Sequence, residues 1–239
     1  MHSITRPNNA IRAAAAVTLL GMLAGFALWP HGRAEALTSG ARAFSTQEER
    51  ALRAGQLVVR PSEVVRGETR LMGGLSWQLI SAPPERVWRV INDWRTYSRF
   101  LPAVEEARLV EQNGLEQRLF IRHRMGFVNA SYFVLATPDV ADGRMRFKLD
   151  HSRPSSIRDA FGELRVTPYP DGRSVVSLAI LADVGEGLVA GLVRSNVHEW
   201  MLKVPAQLKK YVEKASQEPA RGSVEAIEVP PAAQSGRPG

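Results

Sequence analysis

Cysteine is absent from all 239 residues. That excludes disulfides, thiolate metal sites, a catalytic thiol and a lipidated N-terminal cysteine. Histidine is scarce: beyond residue 36 only His123, His151 and His198 occur. No pair has H-E-x-x-H or other metal-ligand spacing, so neither a metal centre nor a cofactor is expected. A G-x-S-x-G elbow and a phosphate-cradling glycine loop are also missing. Gly185, Gly187 and Gly191 match neither, and read instead as a loosened turn into a helix. Aromatics make up 7% of the chain and are not interleaved with basic residues as single-strand binders require, so nucleic acid is not an expected partner. The net charge of +7 is moderate. It suits either an arginine-rich solvated surface or a loose affinity for anionic membrane.

One long uncharged run is present, from Ala13 to Trp29. Arg6 and Arg12 precede it, and the triplet Ala34-Glu35-Ala36 follows. A positive segment, an apolar segment and a small-x-small site form the layout of a secretory signal peptide over residues 1–36, cut after Ala36. An uncleaved membrane anchor is the alternative. Either places the remainder outside the cytoplasm, in the periplasm or at the membrane.

Residues 37–72 read as an N-terminal extension. Ser45 with Glu48, or Thr46 with Glu49, forms a capping box for a short helix that Gly55 ends. Leu57-Val58-Val59 reads as a short strand stopped by Pro61, and Leu52, Leu57 and Val59 are too apolar to leave in water. Gly73-Gly74 opens the main domain, residues 73–216. Leu75, Trp77 and Leu79 give a strand with one strongly apolar face. Pro83, Pro84 and Glu85 start a helix, and Asp93 caps a second short one that Pro102 ends.

Strand-like runs follow. They cover Ala107 to Glu111, Leu115 to Phe127, Ala130 to Thr137 (ended by Pro138), Arg144 to Asp150, Ala160 to Thr167 and Ser174 to Val184. Turns at Asn113-Gly114, Asp142-Gly143 and Asp171-Gly172 separate several of them. Last comes a helical pattern from Leu188 to about Lys214. Its stripe includes Val193, Trp200, Met201, Val204, Leu208, Tyr211 and Val212. Lys203, Lys209, Lys210 and Glu213 lie on its other side, and Pro205 should kink it near Met201. Residues 217–239 are rich in Pro, Ala, Gly, Ser and Glu, the composition of a disordered tail. The whole reads as an α+β fold, a curved antiparallel sheet with the long C-terminal helix across it.

The run Asp93-x-x-x-Tyr97-x-x-Phe100-x-Pro102, just after Pro83-Pro84-Glu85-x-Val87-Trp88, resembles the START-like, or SRPBCC, superfamily. The likeness is greatest to the polyketide cyclase/dehydrase and coenzyme-Q-binding branch, and it extends from about Gly74 to Ser216. It implies a helix-grip fold whose cavity binds an apolar small molecule: a lipid, sterol, isoprenoid quinone or polyketide.

Alternation places Leu119, Ile121, His123 and Met125 on one strand face, and Phe147 and Leu149 on that of another. His123 is the one acid/base group on an apolar face. It is either a proton donor to a ligand or a core histidine hydrogen-bonded to a neighbour. Tyr132 and Asn196 are candidates for orienting a head group, and Leu192 and Trp200 for lining the cavity. Each is also readable as core, the commoner role for such residues. Arg118, Arg122, Arg124, Arg144, Arg146 and Lys148 fall on the opposite face. That face is either solvated or a contact for anionic lipid. Two functions stay open: an exported carrier for a hydrophobic small molecule, and a cyclase or dehydratase acting on a polyketide-like or steroid-like substrate. No catalytic constellation is visible for the second. A third possibility is an interaction module with a filled core.

Overall fold

The computed structural model describes residues 43–125, 128–185 and 199–217. The signal-peptide segment, Leu192, Asn196 and the tail beyond Gln217 lie outside the described residues, as does the helical pattern between Leu188 and Asn196.

Ser45 starts helix α1 (Thr46–Arg53). Its Oγ accepts from the Glu48 N–H while the Glu48 carboxylate accepts from the Ser45 N–H, a complete capping box. Gly55 leaves the helix at φ +74°. β1 (Val58–Arg66) and β2 (Thr69–Ile80) then form a hairpin around Gly67. Pro61 does not stop β1, contrary to expectation. β1 is an edge strand, where a missing N–H costs the ladder nothing. The buried valine is Val58, while Val59 is 44% exposed.

β2 runs unbroken through Gly73 and Gly74. Both have positive φ, 151° and 133°, and a Cβ on Gly73 would meet the Ile180 carbonyl oxygen at 2.0 Å. Only glycine fits where β2 is squeezed between both neighbours.

Helix α2 (Pro84–Ile91) buries Val87 and Ile91. Asp93 caps a 3-10 turn (Trp94–Thr96) by accepting from the Arg95 N–H, and α3 (Tyr97–Phe100) follows. Six strands come next: β3 (Val104–Asn113), β4 (Glu116–Met125), β5 (Val128–Asp139), β6 (Arg144–Leu149), β7 (Asp159–Tyr169) and β8 (Arg173–Asp183). The sheet is antiparallel throughout, in the order β1-β2-β8-β7-β6-β5-β4-β3. Pro138 lies inside β5 rather than beyond it. The pairing with β4 ends at Ala136, so the proline faces no partner on that side. Pro168 is likewise past the end of the β6 ladder.

Residues 199–202 are helical, Lys203 is a turn, and α4 (Val204–Gln217) completes the described chain. The interruption falls between Met201 and Pro205, where the proline removes the ladder bond. Leu208 and Val212 are fully buried. Two residues of the polar side are not free. Lys209 Nζ donates to the Leu79 carbonyl, and Glu213 accepts from the Ser81 N–H just past the end of β2.

The sheet has two cores. The face toward α4 carries Ile80, Leu119, Ile121, Val176 and Leu178, packed with α2 and α4. The apolar face of β2 points the other way. Leu75, Trp77 and Leu79 join Phe161, Val175, Ala179 and Leu181 beneath Leu52 of α1 and Val58 of β1.

Candidate functional site

Between the sheet and the C-terminal helical segment lies a cavity of about 200 Å³. Its walls come from α3 and the Leu101-Pro102 corner, the facing sides of β4 to β8, and Trp200, Met201 and Val204. Strand alternation creates it. Leu119, Ile121 and His123 recur at every second residue of β4, and Leu178, Ile180 and Ala182 do the same in β8. Gly162 has no side chain, and the ring of Phe147, directly opposite it in β6, occupies that space. A Cβ on Gly162 would meet Phe147 Cζ at 2.4 Å.

The lining is apolar except around one hydrogen-bonded chain. In the β4–β5 ladder Ile121 faces Tyr132 and His123 faces Ala130, so His123 and Tyr132 are diagonal neighbours on one face. His123 Nδ1 lies 3.1 Å from the Pro102 carbonyl oxygen and Nε2 lies 2.6 Å from the Tyr132 hydroxyl. A carbonyl only accepts, so Nδ1 carries the hydrogen. Neutral imidazole then accepts at Nε2 from the Tyr132 O–H. The backbone turns through the left-handed region at Ala103 (φ 52°), immediately after the carbonyl that His123 uses. The Ala103 carbonyl itself accepts from the Arg124 N–H.

Burial pushes the His123 pKa down to about 4 and outweighs the opposing effect of the hydrogen bond to the Pro102 carbonyl. The histidine is therefore neutral at physiological pH. Burial raises the Tyr132 and Tyr97 phenols, which stay protonated. Tyr97 donates to the Ile91 carbonyl. Trp200 meets the His123 ring edge-on, with centroids 5.0 Å apart.

Of the residues singled out in the sequence, Leu119, Ile121, His123, Tyr132, Phe147 and Trp200 line this one space. Leu149 does not. It is buried in a neighbouring cluster with Met72, Ile157 and Ala182, at the end of β6 where the strand leaves the cavity wall. Met125 is the last residue of β4; its side chain, with Leu192 and Asn196, lies outside the described residues. Missed in the sequence were Tyr97, Phe100 and Pro102, although all three belong to the motif that carried the family resemblance. The alternating Leu178, Ile180 and Ala182 of β8 were a second available signal.

The arginines of the opposite face are held by carboxylates. Arg118 pairs with Asp150 at 2.7 Å and with Glu111, and Arg122 pairs with Glu105 and Glu106. Arg124 reaches Glu105. Arg144 is buried against Asp139, Asp142 and Glu163. The expected run of positive charge is thus a lattice of ion pairs.

A family model described as polyketide cyclase/dehydrase and lipid transport matches residues 76–213. No curated protein is similar enough to count as a match. Among solved structures, the chain is similar to a fragment of a STAR-related lipid transfer protein from Xanthomonas axonopodis. The TM-score is 0.52 at 17% identity, covering 66% of this chain and 93% of that one. A START superfamily protein from Mycobacterium smegmatis matches with TM-score 0.50 at 10% identity, covering 59% of this chain and 97% of that one. The Zhui aromatase/cyclase from Streptomyces sp. R1128 matches with TM-score 0.49 at 16% identity, over 63% of this chain and 97% of that one.

Proposed function

The chain belongs to the polyketide cyclase/dehydrase and lipid transport family, with the helix-grip α+β fold of START-like proteins, and from that premise we propose that it is a carrier for an apolar small molecule. The observation that supports this is the cavity. At about 200 Å³ it exceeds the roughly 150 Å³ of an engineered apolar cavity that binds benzene, and its lining is apolar apart from a single hydrogen-bonded chain.

The competing function is a cyclase or dehydratase. Such chemistry needs a proton acceptor and a proton donor poised near working pH. His123 is the one imidazole among the described lining residues. It is held neutral with both nitrogens engaged, and its pKa of about 4 leaves it a weak base. The carrier function asks nothing of it beyond orientation.

A thermal-shift screen with quinones, sterols, hopanoid-like lipids and fatty acids tests the proposal. A bound ligand at a hundredfold excess over its Kd should stabilise the protein by about 2.7 kcal/mol. No shift with any of these classes would reject a carrier role and favour the filled interaction module.

Export of this carrier is part of the same proposal, and the pattern Arg6, Arg12, Ala13–Trp29 and Ala34-Glu35-Ala36 is what supports it. N-terminal sequencing of protein from its native host should then find Leu37 first. A cytoplasmic protein retaining Met1 would rule export out.

A further inference from the structure

The donor and acceptor account of the cavity narrows the ligand class. His123 spends its one hydrogen on the Pro102 carbonyl, and Tyr132 spends its own on His123 Nε2. Tyr97 is committed to the Ile91 carbonyl. What remains at the polar end is the acceptor capacity of the Tyr132 oxygen, whose lone pairs are not used when its O–H donates. The indole N–H of Trp200 is the remaining donor among the described lining side chains. It serves a hydroxyl as well as a carbonyl and does not choose between them. No Lys or Arg is among the described lining residues, so a carboxylate there would be buried without a counter-ion.

We infer that the cavity selects a neutral apolar ligand bearing a hydroxyl group, an alcohol in preference to a ketone, quinone or carboxylate, with Tyr132 Oη accepting the ligand's O–H. This rests on the carrier function proposed above. A hydroxyl completes the chain from ligand to Tyr132 to His123 to Pro102 with every hydrogen used once. A ketone has no hydrogen to give. To bond Tyr132 it must take the phenol hydrogen, and His123 Nε2 is then left without a partner among apolar walls. The chain runs in one direction because a backbone carbonyl ends it.

Four probes of one chain length form the experiment: dodecane, dodecanol, dodecanone and dodecanoic acid. They are titrated against the full chain by calorimetry at about pH 8, where the acid is ionised. Dodecanol should bind about tenfold tighter than dodecanone, the worth of one hydrogen bond kept satisfied. Dodecanoate should be weaker than dodecanol by roughly a hundredfold or more. In Tyr132→Phe the preference for alcohol over ketone should collapse toward one. The series on the unaltered protein decides the matter even if that variant folds poorly. Ketone or carboxylate binding as tightly as the alcohol would overturn the hydroxyl assignment and leave the carrier function standing. Failure of all four, dodecane included, would overturn both.

Discussion

His123 shows how one residue's surroundings set a pH dependence. Its folded pKa of about 4 lies below the ordinary 6.5 because the charged ring is denied water. As pH falls, the unfolded chain takes the proton first. The stability owed to neutral His123 is therefore complete above about pH 6.5, declines between 6.5 and 4, and is gone below 4. The full span is on the order of 3 kcal/mol. Denaturant titrations across that window should show the decline, and His123→Gln should flatten it. An unchanged slope in the variant would mean that another group governs acid sensitivity. Packing offers a sharper contrast on α4. Leu208 is fully buried and Lys210 is exposed. Leu208→Ala should cost about 2–5 kcal/mol, and Lys210→Ala under about 0.5. Equal costs by chemical denaturation would mean that α4 presents a different face to the sheet.

Among the elements, the N-terminal helix and β1 do more than extend the chain. Phe44 meets Trp77 edge-on at 5.0 Å, and the Arg60 guanidinium lies 5.0 Å over the same indole. Arg60 donates to both Glu48 oxygens, at 2.8 and 2.9 Å, and to the Ala43 carbonyl. The Arg60 hydrogen bonds hold the Glu48 pKa at about 2, below the ordinary 4.5. This clasp is thus intact above about pH 4.5 and fails as pH falls from there to 2, a window that lies mostly below that of His123. Glu48→Gln should cost about 2 kcal/mol at neutral pH, since the charged acceptor is lost while Arg60 stays buried. Denaturation curves indistinguishable from the unaltered protein would show that the clasp closes the second core without stabilising it. Leu75, Trp77 and Leu79 announced an apolar face in the sequence. The partner of that face was found in space, beneath α1, and not where the C-terminal helix lies.

Across the whole molecule, one sheet separates a packed core under α1 from a hollow one under α4. The hollow predicts the outcome of filling it. Ala136 lies on the cavity wall in β5, opposite Phe147, and is itself buried. Ala136→Phe should leave the unliganded melting temperature unchanged or raised and abolish the ligand-induced shift, because the new ring occupies existing space. Loss of about 1–3 kcal/mol, the usual result of overpacking a filled core, would argue against the hollow.

Local signals by themselves determined the strands from Leu75 onward, the apolar stripe of the last helix, the caps at Ser45 and Asp93, and hence the α+β class, but not the β1–β2 hairpin, where Pro61 read as a stop. They are local because capping and alternation are set by residues within a few positions of each other. They also set Leu119, Ile121 and His123 on one face. Tertiary structure decided what those faces meet. Pro61 and Pro138 looked like strand ends but are tolerated because no neighbouring strand needs their N–H, a fact of sheet order. The arginines of β4 and β6 looked like a positive surface and became ion pairs, because Glu105, Glu106 and Asp150 are brought beside them. Leu149 shares its alternation with Phe147 yet leaves the cavity wall where β6 ends. The hydrogen-bond chain from Tyr132 through His123 to Pro102 joins three separate elements. No sequence spacing encodes it, because its direction depends on a carbonyl turned toward β4 beside the left-handed residue Ala103.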